Sequence, residues 1–387
     1  MKHTLLTALL AAGALTASAD SFTMKVAGTD FCICVDAGIS VTLTWGDGTS
    51  ETFVSDGTPH SIAAKTEDVS VTTDTYVRNL YLAGNKATTF DVGSLSRLEV
   101  LDLCDNDLTT LSLTKLTALE SLLINGNHIN ALSLAKQGKL RKLHASGNDI
   151  DALTLNTADV TDLWVDGCML KGTLDLAKQN HLRSLNASNN MNGHLDLVLL
   201  ANTTAAKKAL EYVDLTDNYL FFGSFPTVYD KVAKEYTVIS NLGGQKPFHY
   251  TDYFQPGQQY DISDLIRYNA WGVAIGPTVE LYRMAKPGDY TPVAENLLVE
   301  GTDYTKVGSY KYTFLTNQPQ VFFRVTSDFY PGLALVTEPF NITDDLEGIT
   351  PLAPNAETDA PAYDLQGRRK ADRSGVSIRN GKVIISK

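Results

Sequence analysis

The stretch that decides the reading is Leu98-Glu99-Val100-Leu101-Asp102-Leu103-Cys104-Asp105-Asn106-Asp107-Leu108-Thr109-Thr110-Leu111-Ser112-Leu113. It follows the template LxxLxLxxNxLxxLxL. The template returns at Leu119, with Leu122, Ile124, Asn127, Ile129, Leu132 and Leu134. It returns again at Leu140, with Leu143, Ala145, Asn148, Ile150, Leu153 and Leu155. Weaker copies begin at Val77, Val160, Leu182 and Leu210. Similarity at a spacing of about 20 residues is the signature of a stacked-repeat architecture, in which each unit buries its apolar side only against its neighbours.

Each template position has a physical task. Positions one, four and six are apolar and point inward, and the alternation across four to six has the period of a strand. One short strand per repeat therefore predicts a parallel sheet, with neighbouring repeats paired. Position nine is Asn in six of seven copies: Asn85, Asn106, Asn127, Asn148, Asn190 and Asn218. Its amide can satisfy backbone groups of the adjacent turn, so these residues are expected to stack as a ladder. Cys168 holds this position in the fifth copy. The second LxL, as in Leu111 and Leu113, closes the back of each coil.

Residues between the inward positions face outward. Position five gives the column Tyr81, Asp102, Leu123, His144, Trp164, Asn186 and Asp214. One flanking column holds Asn79, Lys142, Asp162, Ser184 and Tyr212; the other holds Asn125, Ser146, Asp166, Ser188 and Thr216. Exposed Trp and Tyr beside polar groups is the composition of a binding hot spot. The candidate ligand-binding residues are Tyr81, Asp102, Leu123, His144, Trp164, Asn186, Asp214, Tyr212 and Asp166. A register slip of one residue would bury Trp164. His144 has no second histidine beside it in the column and reads as a surface histidine.

The flanks differ from the repeat. Ser40 to Trp45 alternates as a strand, Gly46-Asp47-Gly48-Thr49 is a tight-turn signal, and Glu51 to Val54 reads as the returning strand. Asp47 is either a ligand to a cation or the carboxylate that fixes the turn. Tyr236 to Ile239 is expected to add one more strand. Residues 248–345 hold ten of the seventeen Tyr and alternate strongly, as in Val279-Glu280-Leu281-Tyr282 and Val321-Phe322-Phe323-Arg324-Val325. Short strands with recurrent turns suggest an antiparallel sandwich. Its aromatics are either core or a sugar-binding surface.

The N-terminus has the pattern of a secretory signal: Lys2 and His3, an apolar run from Leu5 to Leu15, then Ala17-Ser18-Ala19. No later stretch has the length and apolarity of a transmembrane helix. The net charge of -12 disfavours nucleic acid and anionic lipid as partners. Cys32, Cys34, Cys104 and Cys168 are poorly spaced for disulfides or metal and read as free thiols. No cofactor or metal is expected, and no nucleophile, metalloprotease, P-loop or dinucleotide motif points to an enzyme.

The repeat resembles the leucine-rich-repeat family over residues 76–246. The WGDGT turn is similar to those of PKD-type β-sandwiches and of N-terminal caps in Bacteroidetes repeat proteins. The order of repeat then sandwich resembles the listeria internalins and many Bacteroidetes surface proteins. Tyr363-Asp364-Leu365-Gln366-Gly367-Arg368-Arg369 and Gly375 to Val383 resemble the end of a type IX secretion sorting domain, over about the last 25 residues.

These resemblances imply an α/β-type leucine-rich-repeat solenoid, mostly β with a parallel sheet, flanked by an N-terminal β cap and a C-terminal β-sandwich. The expected organisation is signal peptide 1–19, β cap 20–75, solenoid 76–246, Ig-like β-sandwich 247–345, linker 346–361 and sorting-like tail 362–387. The expected function is a non-catalytic, secreted or cell-surface adhesion protein. Its partner would be an extracellular protein or glycan, bound on the concave face. A spacer for surface display and a carbohydrate-active enzyme are the alternatives.

Overall fold

The structure is a computed structural model and describes residues 20–155, 159–176, 178–190, 195–198, 210–230, 232–269, 272–345, 375–379 and 382–386. The expected signal peptide and the linker at 346–361 lie outside the described residues. The chain is mostly β, with only single short helical turns among the described residues.

The repeat positions four to six form the strands Asn79–Tyr81, Val100–Asp102, Ser121–Leu123, Lys142–His144, Asp162–Trp164, Ser184–Asn186 and Tyr212–Asp214. They pair in parallel, in sequence order and in one unbroken register. An eighth strand, Ile239–Asn241, continues the series by pairing in parallel with Tyr212–Asp214. The strand expected at Tyr236 to Ile239 is thus shifted. Glu235–Tyr236 pairs instead with Tyr229–Asp230 in a hairpin, and the repeat strand begins only after it. On the back of the coils, Leu132–Ser133 pairs in parallel with Leu153–Thr154, and Gly172–Asp175 with Leu195–Val198.

Burial follows the template. Leu80, Leu101, Leu122, Leu143, Leu163, Leu185 and Val213 occupy the middle of each front strand and are wholly enclosed. The Asn residues are buried too, and each one ties three backbone groups together. Asn127 Nδ2 donates to the carbonyl of Ile124 at 3.0 Å in its own coil and to that of Leu103 at 2.9 Å in the coil before, while its Oδ1 accepts from Leu108 N at 3.0 Å. Asn106 and Asn148 make the same three bonds one coil earlier and later. Cys168 keeps one of them, its Sγ donating to Ala145 O at 3.3 Å. Gln245 closes the ladder in the last coil, bonding Leu242 O, Leu215 O and Leu220 N.

Position eight carries a signal that the template left unassigned. Gly84, Asp105, Gly126, Gly147, Gly167, Asn189, Asp217 and Gly244 all have φ between 54° and 73°. The chain turns sharply out of each strand here, and only Gly, Asn and Asp enter the left-handed region readily. The column of small residues leaves a hollow of about 310 Å³ beside it, lined by Gly147, Gly167, His128 and Met169 among others.

The N-terminal segment interlocks with the first coil. Ser50–Val54, Ser40–Trp45, Asp68–Thr73, Ser21–Val26 and Ala87–Asp91 form one sheet in that order, so its last strand comes from inside the first repeat. Asp30–Val35 pairs antiparallel with Asn79–Tyr81 and extends the parallel sheet, with His60–Ala63 beyond it. The ladder crosses the same junction, because Asn85 bonds both the N–H and the carbonyl of Cys32. Asp47 fixes its turn, accepting from Thr49 N at 2.9 Å and Thr49 Oγ1 at 2.7 Å.

Residues beyond the last coil form a second β unit. Thr278–Arg283 pairs antiparallel with Gln318–Thr326, which also pairs with Ala334–Val336 and Phe340–Ile342. The sheet is mixed rather than wholly antiparallel, because Tyr253–Phe254 joins Phe340–Ile342 in parallel: the first and last strands of the unit run side by side. A second sheet holds Gln259–Asp261, Lys311–Phe314 and Tyr304–Val307. Rings of both sheets meet, with Phe254 at 5.1 Å from Phe314 and 4.8 Å from Phe340. These aromatics are core. Tyr330 is the join to the coils: it stacks on Phe222 at 5.2 Å and its hydroxyl donates to the carbonyls of Phe225 and Pro226. In the tail, Gly375–Arg379 and Lys382–Ser386 pair as an antiparallel hairpin.

Candidate functional site

The parallel register places the outward column side by side. Tyr81 pairs with Asp102, Asp102 with Leu123, Leu123 with His144, His144 with Trp164, Trp164 with Asn186, and Asn186 with Asp214. Asn241 of the eighth strand extends it. Neighbouring strands lie about 4.8 Å apart, so the column runs as a stripe across the sheet. Tyr81 and Trp164 are 39% and 38% exposed, and the remaining members from Asp102 to Asp214 are half-buried. The inward register is thus kept at Trp164. Leu163 and Val165 fill the core on either side of it, whereas Trp45 of the N-terminal sheet is 2% exposed.

Several polar members already hold backbone. Asp102 Oδ1 accepts from Cys104 N at 2.9 Å, Asn186 Oδ1 from Ser188 N and Oγ, and Asp214 Oδ1 from Thr216 N and Oγ1. This is an Asx turn at the strand end, and the sequence shows it as Asp/Asn followed two residues later by Cys, Ser or Thr. Asp214 is filled completely, because its Oδ2 accepts from Asn241 Nδ2 at 2.9 Å and Tyr212 hydroxyl at 3.3 Å. Asn79 in the flanking column is likewise held by Asp36, whose carboxylate caps the N–H groups of Arg78 and Asn79. These groups shape the surface, and the oxygens named are committed to the fold.

The centre of the stripe is different. The His144 and Trp164 rings stack in parallel, centroids 4.3 Å apart and 8° between planes. Trp164 Nε1 donates to Ser184 Oγ at 3.2 Å. Burial, with the Lys142 ammonium, holds the His144 pKa below its ordinary value against the pull of Asp162 and Asp166, so the imidazole is neutral at pH 7. Asp166 accepts from Ser146 through Oδ1, and Asp162 from Thr161 through Oδ2. Each has a second carboxylate oxygen outside these bonds.

The four cysteines are free thiols, and nucleophilic use of Cys104 and Cys168 is disfavoured by their surroundings. Burial, then Asp102, pushes Cys104 up to about 12, and burial pushes Cys168 up to about 11.

No protein-family model matches the chain, and no curated protein matches it. Among solved structures, the functional domain of InlJ from Listeria monocytogenes, described as including a cysteine ladder, is similar. The sequence identity is 11%, the match covers 73% of this chain and 94% of that one, and the TM-score is 0.24. At that score the likeness carries no argument. The strand register and the Asn ladder support the fold on their own.

Proposed function

We propose that the chain is a leucine-rich-repeat solenoid, closed at its start by the N-terminal β segment and at its end by the sandwich-like unit. It acts as a non-catalytic, extracellular binding protein. The observation that carries the reading is the in-register stripe from Tyr81 to Asp214, which sets two exposed aromatics among acidic and amide groups on one rigid sheet face. Rigid presentation limits the ordering cost of binding, and stacked repeats make a long face available. The partner is an extracellular protein or glycan held on this face, taken here as the concave one. The N-terminal segment is read as a secretory signal, and the C-terminal hairpin as part of a sorting tail of Bacteroidetes type. Among the described residues no helix is long and apolar enough to cross a membrane.

The test is the double substitution Trp164→Ala/Tyr81→Ala, probed on arrays of matrix proteins and glycans. Binding by the parent chain that the folded double variant loses supports the reading. Undiminished binding by the variant overturns it and favours a spacer.

A further inference from the structure

The stripe has a profile that its register dictates. Trp164 and Tyr212 stand diagonally on strands two apart, the strands being roughly 9.6 Å from each other at the ordinary spacing and Tyr212 level with Asp162. The strand between them carries only Ser184 and Asn186 outward, and Ser188 follows just past its end. Two bulky aromatics therefore flank a row of small polar residues, and the sheet face has a slot there.

One indole face is covered by His144. The indole edge is tied to Ser184 Oγ through Nε1, and the face away from His144 is turned to the side of the next strand, where Asn186 is the paired residue. Asp162 opens the strand that ends at Trp164, Asp166 follows two residues later in the turn, where Ser146 of the preceding coil holds its Oδ1, and Asp214 lies across the slot beside Tyr212. The one cation on these four strands is Lys142, which stands opposite Asp162 in register, whereas Asp166 and Asp214 have none opposite them on these strands. A flat π face rimmed by three carboxylates is complementary to a planar cation. Neutral sugars would use the ring but leave the carboxylate charge unmatched.

We propose that the slot between Trp164 and Tyr212 receives an arginine side chain of a protein partner, its guanidinium stacked on the indole and hydrogen-bonded to Asp162 and Asp166. This rests on the binding reading above and names the chemistry of its partner. Asp162 Oδ1 and Asp166 Oδ2 are the acceptors not used by Thr161 and Ser146. Asp214, already filled by four donors, contributes charge only. An ammonium would be held less well, since it has no plane to lay on the ring.

The experiment measures binding of fluorescein-labelled hexa-arginine, hexa-lysine and hexa-citrulline peptides to the full chain. Citrulline keeps the shape and removes the charge. The variants are Trp164→Ala, Asp162→Asn/Asp166→Asn, and the distant charge control Glu67→Gln/Glu295→Gln. The expected result is binding in the order arginine, lysine, citrulline. Arginine should lose about tenfold in either slot variant and stay within about twofold in the control. Equal binding of citrulline, or equal losses in slot and control variants, overturns the proposal. A neutral oligosaccharide that binds in a Trp164-dependent way while hexa-arginine does not overturns the cationic assignment and leaves the binding face standing. Array binding by the parent chain that persists in Trp164→Ala/Tyr81→Ala sinks that face itself.

Discussion

Asn127 shows how much of this molecule depends on single amides. Its side chain joins two carbonyls and one N–H across adjacent coils, all of them away from water. Asn127→Ala leaves these groups buried without partners and should cost about 2–4 kcal/mol, read as a lower urea midpoint. A midpoint unchanged from the parent would contradict the ladder's role. His144 carries a second expectation at this scale. Its pKa in the folded chain lies below the unfolded value, so folding disfavours the protonated ring. The unfolded state therefore binds more protons between the two values, and stability rises with pH across that window. The contribution is complete above about pH 6.5 and is lost as the pH falls through the folded value. Thermal melts of the parent should drop between pH 7.5 and 5 more than those of His144→Gln. Parallel drops would show that this ring is not responsible.

At the scale of the element, the coil turn is the unit that repeats. Its left-handed position is Gly in most coils, and Asp or Asn in the rest. Gly147→Ala places its Cβ no nearer than 3.8 Å to any neighbour, so only the backbone conformation is strained. That should cost about 1–2 kcal/mol. Gly126→Ala meets the same backbone strain and also sets its Cβ 2.6 Å from Asp105 Oδ1, which must move. The second variant should melt below the first; the reverse order would show that the Asp105 contact is harmless. The Asx turns belong to this scale as well. Asp102, Asn186 and Asp214 look like ligand groups in a one-dimensional list, yet each caps the end of its own strand.

For the whole molecule, the N-terminal segment is part of the sheet and not a detachable cap. It supplies the antiparallel neighbour of Asn79–Tyr81, and Ala87–Asp91 of the first coil pairs with Ser21–Val26. Deleting residues 20–75 would open a parallel edge and uncover Phe90 and the first ladder residue, Asn85. An unpaired flat edge is a template for association. The truncated chain should elute from size exclusion as aggregate with scattering to match. A soluble monomer with parental circular dichroism would show that the first coil is self-sufficient.

The sequence by itself determined the period, the inward leucines, the Asn ladder and the outward column, down to Trp164. These are local consequences of a strand alternation repeated in register, and a repeat states its own neighbours. It also separated Ser40 to Val54 as a hairpin and the tyrosine-rich region as strands. Only the tertiary structure decided which of the column's polar groups remain for a partner, because that depends on bonds two residues along or one coil across. It alone revealed that His144 covers one face of Trp164 and that Ser184 of the next strand holds its edge. It also placed the eighth strand after Tyr236, where a hairpin competes for the chain. Each of these is a pairing between residues that the repeat does not relate by its period, and such pairings are settled by packing rather than by pattern.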